Sequence, residues 1–122
     1  MTKNKIYIND DDILEVRVIG DQTYASVMDM GTEVSRLLEE LAKQQKPGLI
    51  LDDLTEMGNT DTAARQAVNQ LARSLKYKKV AMVASGSPLM RYGTKLLLEA
   101  IGMGKKIQYF EDRDKAYRWL FK

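Results

Sequence analysis

The sequence is 122 residues long, with 44% hydrophobic and 30% charged residues, and its 19 Lys and Arg nearly balance 17 Asp and Glu, for a net charge of +2. This length suits one hydrophobic core, and the near-neutral charge gives no reason to expect electrostatic capture by nucleic acid or an anionic membrane. The lack of cysteine and histidine excludes disulfides, thiol chemistry and the usual zinc ligands, so a binding protein is expected more than an enzyme.

The first two predicted elements are strands, because apolar and polar residues alternate over 5–9 and again over 13–19. The Asp-rich turn between them, at 9–12, makes the pair an antiparallel hairpin with one wet face. Glu15 and Arg17 are expected on that wet face. The residues expected to face the core are Leu14, Val16 and Val18.

A long helix is predicted from about Thr23 to Gln45, and Asp21 is expected to cap its N-terminus. Its apolar residues recur at intervals of three and four, which places them on one face. They are Val27, Met30, Val34, Leu37, Leu38 and Leu41. The Pro-Gly pair at 47–48 ends this helix, and the apolar run at 49–51 predicts a strand covered on both faces.

The second half of the chain is predicted to alternate helices and strands. After a loop at 55–60, the predicted elements are a helix over about 61–75, a strand over 80–84, a helix that begins at Pro88, a strand over 107–110 and a helix from about Asp112. The apolar stripe of the first of these helices comprises Ala64, Val68, Leu71, Ala72 and Leu75. Ser87 is expected to cap the helix that begins at Pro88.

The resulting order of elements, β-β-α-β-α-β-α-β-α, predicts an α/β fold. A mixed, mostly parallel sheet of about five strands is expected, with helices packed on it and the hairpin strand at an edge. No linker or repeat divides the chain, so residues 1–122 are expected to form a single domain. No apolar run is long enough to cross a bilayer, and a cytoplasmic location without stable membrane insertion is therefore expected.

Functional residues of an α/β sheet usually lie where the carboxyl ends of strands meet helix N-termini. Two segments are predicted to lie there, 52–62 and 85–87. One use of them is Mg²⁺ binding, since carboxylate oxygens suit this metal. The candidate ligands are Asp52, Asp53, Glu56 and Asp61. A second use is hydrolysis by a serine of 85–87 with Lys95 as base, but no recognised motif supports it.

Two further uses depend on hydroxyl groups at the helix starts. Two helix N-termini could hold an anion, although helix capping accounts for the same hydroxyls. The residues concerned are Thr60, Thr62, Arg65, Ser85, Ser87 and Arg91. Phosphorylation of a first-turn hydroxyl is the other use, because a phosphate adds about −1.5 to −2 charges that a docked partner would sense. Docking needs no catalytic residue, in agreement with the composition.

Four segments carry a resemblance to a known family. They are the strand 49–53 with its Asp-Leu-Thr continuation, the helix start 59–65, the strand 78–83 and the C-terminal run 109–120. Together they resemble the STAS superfamily, the fold of the sporulation anti-sigma-factor antagonists, and in particular its small stand-alone bacterial members, the SpoIIAA-like proteins. The likeness covers nearly the whole chain, and its motifs report fold more than function.

The resemblance implies a regulatory, non-enzymatic module that binds a protein partner around 53–65, without metal or cofactor. In the anti-sigma-factor antagonists an Asp precedes a phosphorylatable hydroxyl at the start of the second helix. Asp61 and Thr62 fall on that position, although Ala63 and Ala64 depart from the family's second hydroxyl residue and Gly. Thr62 is thus the candidate phosphorylation site. The predicted contact residues are Asp53, Gly58, Thr60, Asp61, Thr62, Ser85, Ser87 and Arg91.

An alternative function is the binding of a lipid or another small apolar ligand, because CRAL-TRIO-like lipid-transfer domains share the fold in outline. Methionine side chains adapt to irregular ligands. Those available are Met28, Met30, Met82, Met90 and Met103. A homodimer is compatible with the sequence, and nucleic acid is not an expected partner.

Overall fold

The chain forms seven strands and three helices over the residues that the computed structural model describes, 3–84 and 105–122. The strands are β1 (Lys5–Ile8), β2 (Leu14–Arg17), β3 (Gly20–Gln22), β4 (Leu49–Asp53), β5 (Met57–Thr60), β6 (Lys79–Val83) and β7 (Ile107–Phe110). The helices are α1 (Tyr24–Lys43), α2 (Thr62–Ser74) and α3 (Arg113–Leu120). The predicted helix that begins at Pro88 lies outside the described residues.

Five strands form the main sheet, in the order β1-β2-β4-β6-β7. β1 pairs antiparallel with β2, and each other neighbouring pair is parallel. The predicted mixed, mostly parallel α/β fold is confirmed, with the hairpin strand at an edge. Because β2, β4, β6 and β7 run in one direction, their last residues share one end of the sheet, the carboxyl end. The turn at 9–12 lies at the opposite, amino end.

A second, two-stranded sheet pairs β3 with β5 in parallel. The predicted loop at 55–60 is therefore wrong, and β3 is a strand that the sequence did not predict. Both strands are short and rich in Gly, Asp and Asn, which disfavour strands, so no alternating pattern indicates them. Close approach of the backbones explains the pairing. A Cβ atom at Gly58 would lie 2.2 Å from Asp21 Oδ1 and 3.0 Å from Asp21 N.

The N-terminal cap of α1 is Thr23 rather than the predicted Asp21. The Ser26 N–H donates to Thr23 Oγ1 at 3.2 Å, and the Thr23 N–H donates to Ser26 Oγ at 2.9 Å. Asp21 is engaged elsewhere, because its Oδ1 accepts a hydrogen bond from the Asn59 N–H at 2.8 Å. The carboxylate predicted to cap a helix therefore joins the two strands of the small sheet.

The larger core lies between the main sheet and helices α1 and α2. The predicted inner residues of β2 are buried in it, and those of α1 pack into it or into a small cluster between the two helices. The predicted stripe of α2 is wrong at Val68, which is 38% exposed. The reason is that α2 packs on α1 through Ala64 and Ala67, so its buried stripe is rotated and narrow.

The smaller core lies on the opposite face of the main sheet, beneath α3. Ala116 and Leu120 of α3 are buried there, as predicted. The wet face predicted for the hairpin is wrong at Glu15, which is only 5% exposed. Alternation separates the two faces of a strand, but it does not show whether another element covers the second face.

Candidate functional site

The candidate contact surface comprises residues 53–65, from the end of β4 to the first turn of α2, at the carboxyl end of the main sheet. Leu54 anchors it, since this side chain is buried and its N–H donates to the Val83 carbonyl oxygen at 2.8 Å. Asp53 Oδ1 accepts from the Thr55 N–H at 3.0 Å, which turns the chain away from the sheet. These two hydrogen bonds therefore fix the position of the backbone from which the following residues cross the surface.

The small sheet holds the middle of the contact surface. The Gly20 N–H donates to the Glu56 carbonyl oxygen at 2.9 Å, and the Glu56 carboxylate forms an ion pair with Arg17 at 2.6 Å. Further along, Asn59 is tied to Asp21 by the hydrogen bond described above. Gly58 and Asn59 are nevertheless exposed. The contact surface thus presents exposed residues on a backbone that is hydrogen-bonded along its length.

Hydroxyl, carboxylate and guanidinium groups meet at the start of α2. Asp61 caps the helix, because its Oδ1 accepts from the Ala64 N–H at 2.7 Å. The Arg65 guanidinium donates to the Thr60 carbonyl oxygen at 2.9 Å and to Thr62 Oγ1 at 3.3 Å. Asp61 and Thr62 are exposed and Thr60 is half-buried. A positive charge and a helix N-terminus therefore lie beside an accessible hydroxyl, an arrangement that favours a negative group there.

The candidate magnesium ligands are not brought together, and no group of three or more carboxylates in the described part of the chain could share a metal ion. Asp53 turns the chain, Glu56 pairs with Arg17, and Asp61 caps α2. Asp52 points to the opposite face of the sheet from Asp53, since successive strand residues alternate. Each carboxylate therefore has a separate role, and a magnesium site at this end is not supported.

Asp52 faces the larger core, because its strand neighbours Val16 and Met82 both pack into that core. Its carboxyl has no hydrogen bond or ion pair within residues 3–84 and 105–122. Desolvation raises the pKa of Asp52 to about 7. Burial, and then the nearby Asp52 charge, raises the pKa of Tyr77 as well. The residue pattern indicates Asp52 only as a candidate metal ligand and gives no sign that it is a half-buried titratable group.

A second buried carboxylate, Glu15, lies on the other face of the sheet in a polar cluster. Asn9 Nδ2 donates to Glu15 Oε2 at 2.8 Å, and the Arg113 guanidinium donates to Glu15 Oε1 at 2.8 Å. The same Asn9 amide contacts the Tyr117 hydroxyl, and Arg113 lies 5.3 Å from the Tyr117 ring centroid. These contacts fasten α3 to the hairpin, and sequence spacing did not indicate them because Glu15 and Arg113 are 98 residues apart.

Some predicted site residues lie outside the described residues: Ser85, Ser87, Arg91, Lys95, Met90 and Met103. The remaining methionines of the apolar-ligand alternative are packed against cores. Met28 and Met30 lie against the cluster between α1 and α2, and Met82 lies against the larger core. No helix in the described ranges is both long and apolar enough to cross a bilayer.

The family model described as SpoIIAA-like matches residues 13–121. No curated protein sequence matches the chain. A solved structure similar to this chain is an uncharacterized protein with a SpoIIAA-like fold from Shewanella loihica, at a TM-score of 0.66 and 24% identity. That match covers 96% of this chain and 91% of the Shewanella chain.

The chain is also similar to the anti-sigma factor antagonist SpoIIAA, solved in its unphosphorylated form, at a TM-score of 0.63 and 12% identity. This match covers 94% of each chain. At such identities, the two structural likenesses report the fold alone.

Proposed function

The chain belongs to the SpoIIAA-like family, and from this membership and the geometry of residues 53–65 we propose that it is a non-enzymatic regulatory module that binds a protein partner through this contact surface. The observation that carries the proposal is the small sheet, which orders an exposed segment. A surface that is ordered before binding loses less conformational entropy when a partner docks. The fold is related to that of an anti-sigma factor antagonist, and that relationship supports a regulatory role.

The proposed contact residues are those that this segment exposes or half-exposes at the carboxyl end of the main sheet: Asp53, Gly58, Thr60, Asp61 and Thr62. Gly58 contributes by its lack of a side chain, since a Cβ atom would collide with Asp21. The other four residues supply carboxylates and hydroxyls that can accept or donate hydrogen bonds. Ser85, Ser87 and Arg91 complete the proposed surface from outside the described residues.

The test compares one substitution at two exposed alanines, Ala63 in the first turn of α2 and Ala42 in the last turn of α1. Ala63→Tyr adds a bulky ring beside Thr62, where the contact surface meets α2, whereas Ala42→Tyr adds the same ring at the other end of the molecule. Affinity capture from the native cell should recover a partner with the wild type and with Ala42→Tyr, but not with Ala63→Tyr. Equal recovery with both variants would contradict binding at residues 53–65.

We further propose that phosphorylation of Thr62 regulates this binding. Arg65 already donates to the Thr62 hydroxyl, so it could pair with a phosphate at the same position. Intact mass of protein from its native cell should show an added phosphate that is lost in Thr62→Val. Complete absence of phosphate under every growth condition would contradict this regulation while leaving the docking proposal standing.

A further inference from the structure

Positive charge is concentrated at the amino end of the main sheet, on the side of β6 and β7. Six exposed basic residues lie there and together form a surface that we call the basic end. They are Arg73, Lys76, Lys78, Lys105, Lys106 and Lys122. They come from the end of α2, the segments before β6 and β7, and the residues after α3. The net charge of +2 does not reveal this concentration.

Chain topology gathers these residues. β6 and β7 are adjacent parallel strands, and the Val80 N–H donates to the Lys106 carbonyl oxygen at 2.8 Å. The lysines that precede the two strands therefore lie side by side. α3 ends at the same place, because Lys79 Nζ donates to the Trp119 carbonyl oxygen at 2.8 Å and lies 4.9 Å from the Trp119 ring centroid. Residues distant in sequence thus share one end of the sheet.

Few negative charges in the described part of the chain oppose the basic end. The sequence contains no Asp or Glu between Asp61 and Glu99, and none from Lys105 to Phe110. The acidic turn at 9–12 lies at the far side of the amino end, where Asp12 pairs with Lys46 at 2.9 Å. The C-terminus of a helix also adds negative charge, but each one carries only about half an elementary charge. Within residues 3–84 and 105–122, the six cations therefore leave a net positive surface.

An exposed aromatic ring lies beside these lysines. Phe121 is the C-terminal cap of α3, directly precedes Lys122, and is 57% exposed. Its ring meets the Tyr117 ring edge-on, with the centroids 5.9 Å apart. An apolar ring beside a cluster of lysines is typical of surfaces that bind membranes peripherally, since the ring enters the headgroup region and the lysines attract anionic lipids.

We propose that the basic end binds the surface of membranes that contain anionic phospholipids. Lysines spread over three elements suit a field of headgroups, whereas a single bound phosphate requires donors that converge on one point. Single-stranded nucleic acid is favoured by several exposed rings on which successive bases stack. Among the described residues at the basic end, Phe121 alone presents an exposed ring, and Tyr77 is buried. The contact surface at residues 53–65 lies at the opposite end of the sheet, so a membrane-bound molecule presents it away from the lipid.

The test measures co-sedimentation of the full chain with phosphatidylcholine vesicles that contain about one third phosphatidylglycerol. A triple variant, Lys78→Gln, Lys105→Gln and Lys106→Gln, removes three charges from the basic end. The matched control, Lys3→Gln, Lys5→Gln and Lys115→Gln, removes three exposed charges that lie near the carboxyl end of the sheet. Glutamine keeps the side chains polar, so both variants are expected to fold.

The wild type and the control are expected to bind anionic vesicles at low salt, to release them at high salt, and to ignore pure phosphatidylcholine. The basic-end variant should bind on the order of 100-fold more weakly, since each lysine near a charged membrane contributes about a fivefold factor. Phe121→Ser should weaken binding several-fold, because it removes the ring that enters the bilayer.

Several results would overturn the proposal. Equal losses in the two triple variants would show that net charge alone is responsible. Equal binding to pure phosphatidylcholine, or unchanged binding of Phe121→Ser, would contradict recognition of an anionic bilayer. Tighter binding to a labelled DNA duplex than to the vesicles would replace the membrane with nucleic acid as the ligand of the basic end.

Discussion

Two carboxyl groups on opposite faces of the main sheet, the buried Glu15 and the half-buried Asp52, have opposite surroundings. On the α3 face, the side chain of Glu15 is 6% exposed and accepts hydrogen bonds from Asn9 and Arg113. On the face covered by α1 and α2, Asp52 has no partner within the described residues, and desolvation raises its pKa to about 7. One carboxylate is stabilised by donors, whereas the other is stabilised in the core by keeping its proton.

Position on a strand alone therefore does not decide whether a carboxyl group inside the protein has hydrogen-bond donors or a cation beside it. A carboxylate in a poorly solvated site is costly unless donors or a cation offset the lost hydration. α3 brings such a cation to Glu15, while the α1 and α2 face around Asp52 is built from apolar side chains. Glu15 is therefore expected to stabilise the attachment of α3, and Asp52 is expected to make the stability of the fold depend on pH.

The largest expected effect tests Glu15, the carboxyl group that has hydrogen-bond partners. Glu15→Ala should lower the free energy of unfolding by about 3 kcal/mol, because the half-buried Asn9 amide and the Arg113 guanidinium lose their acceptor. Urea unfolding measures this change. Glu39→Ala is the matched control, since Glu39 is exposed on α1, and it should change stability by less than about 0.5 kcal/mol. A loss in Glu15→Ala as small as in the control would mean that the cluster contributes little.

The next largest effect concerns Asp52, the carboxyl group that has no partner within the described residues. The pKa of Asp52 is 3.8 in its ordinary state and about 7 in the fold, so between these values the native state holds a proton that the unfolded state has released. Stability should therefore fall by up to about 3 kcal/mol as the pH rises from 4 to 7, and should level off above about pH 8. Urea unfolding at a series of pH values measures the slope.

Asp52→Asn is the control for that pH series, because its amide is neutral at every pH and has nearly the same shape. It should remove the slope and should be more stable than the wild type at pH 8. If the variant and the wild type lose stability in parallel between pH 4 and 7, Asp52 is not the responsible group.

The smallest effect sharpens the comparison by making Glu15 resemble Asp52. Arg113→Met removes the cation and one donor but keeps an unbranched side chain, so the buried Glu15 carboxylate loses part of what offsets its lost hydration. The free energy of unfolding should fall by about 1 kcal/mol at pH 7, as measured by urea unfolding. Arg118→Met, on an exposed arginine of the same helix, should change stability by less than about 0.5 kcal/mol. A loss in Arg113→Met no larger than the loss in Arg118→Met would contradict the ion-pair explanation.

Elements with a strong apolar period were predictable from the sequence. The residues at three- and four-residue intervals located α1, and the continuous runs at 49–51 and 80–84 located the buried strands β4 and β6. Asp61 and Asp112 were predicted to open helices, and both cap them through local hydrogen bonds. Such signals are local, because a helix or strand buries a face whose spacing is written in a short stretch of chain.

The contact surface was predicted only in part. Its position at the carboxyl end of the sheet followed from the order of elements, as did the first-turn location of Thr62. The ordered backbone of the contact surface could not be predicted, because β3 and β5 carry no apolar alternation. These strands depend on hydrogen bonds between Asp21 and Asn59 and between Gly20 and Glu56. These partners are more than thirty residues apart, and nothing near either one indicates the other.

The sequence by itself determined the α/β class, the direction of most strands and the residues that line the larger core, because periodicity and helix caps act over a few residues. Only the tertiary structure decided that Glu15 is buried and paired, that Asp52 is not, and that separate basic runs meet at one end of the sheet. Each of those outcomes depends on which elements become neighbours. Burial, pKa and charge density are properties of that neighbourhood, so composition and spacing alone could not reveal them.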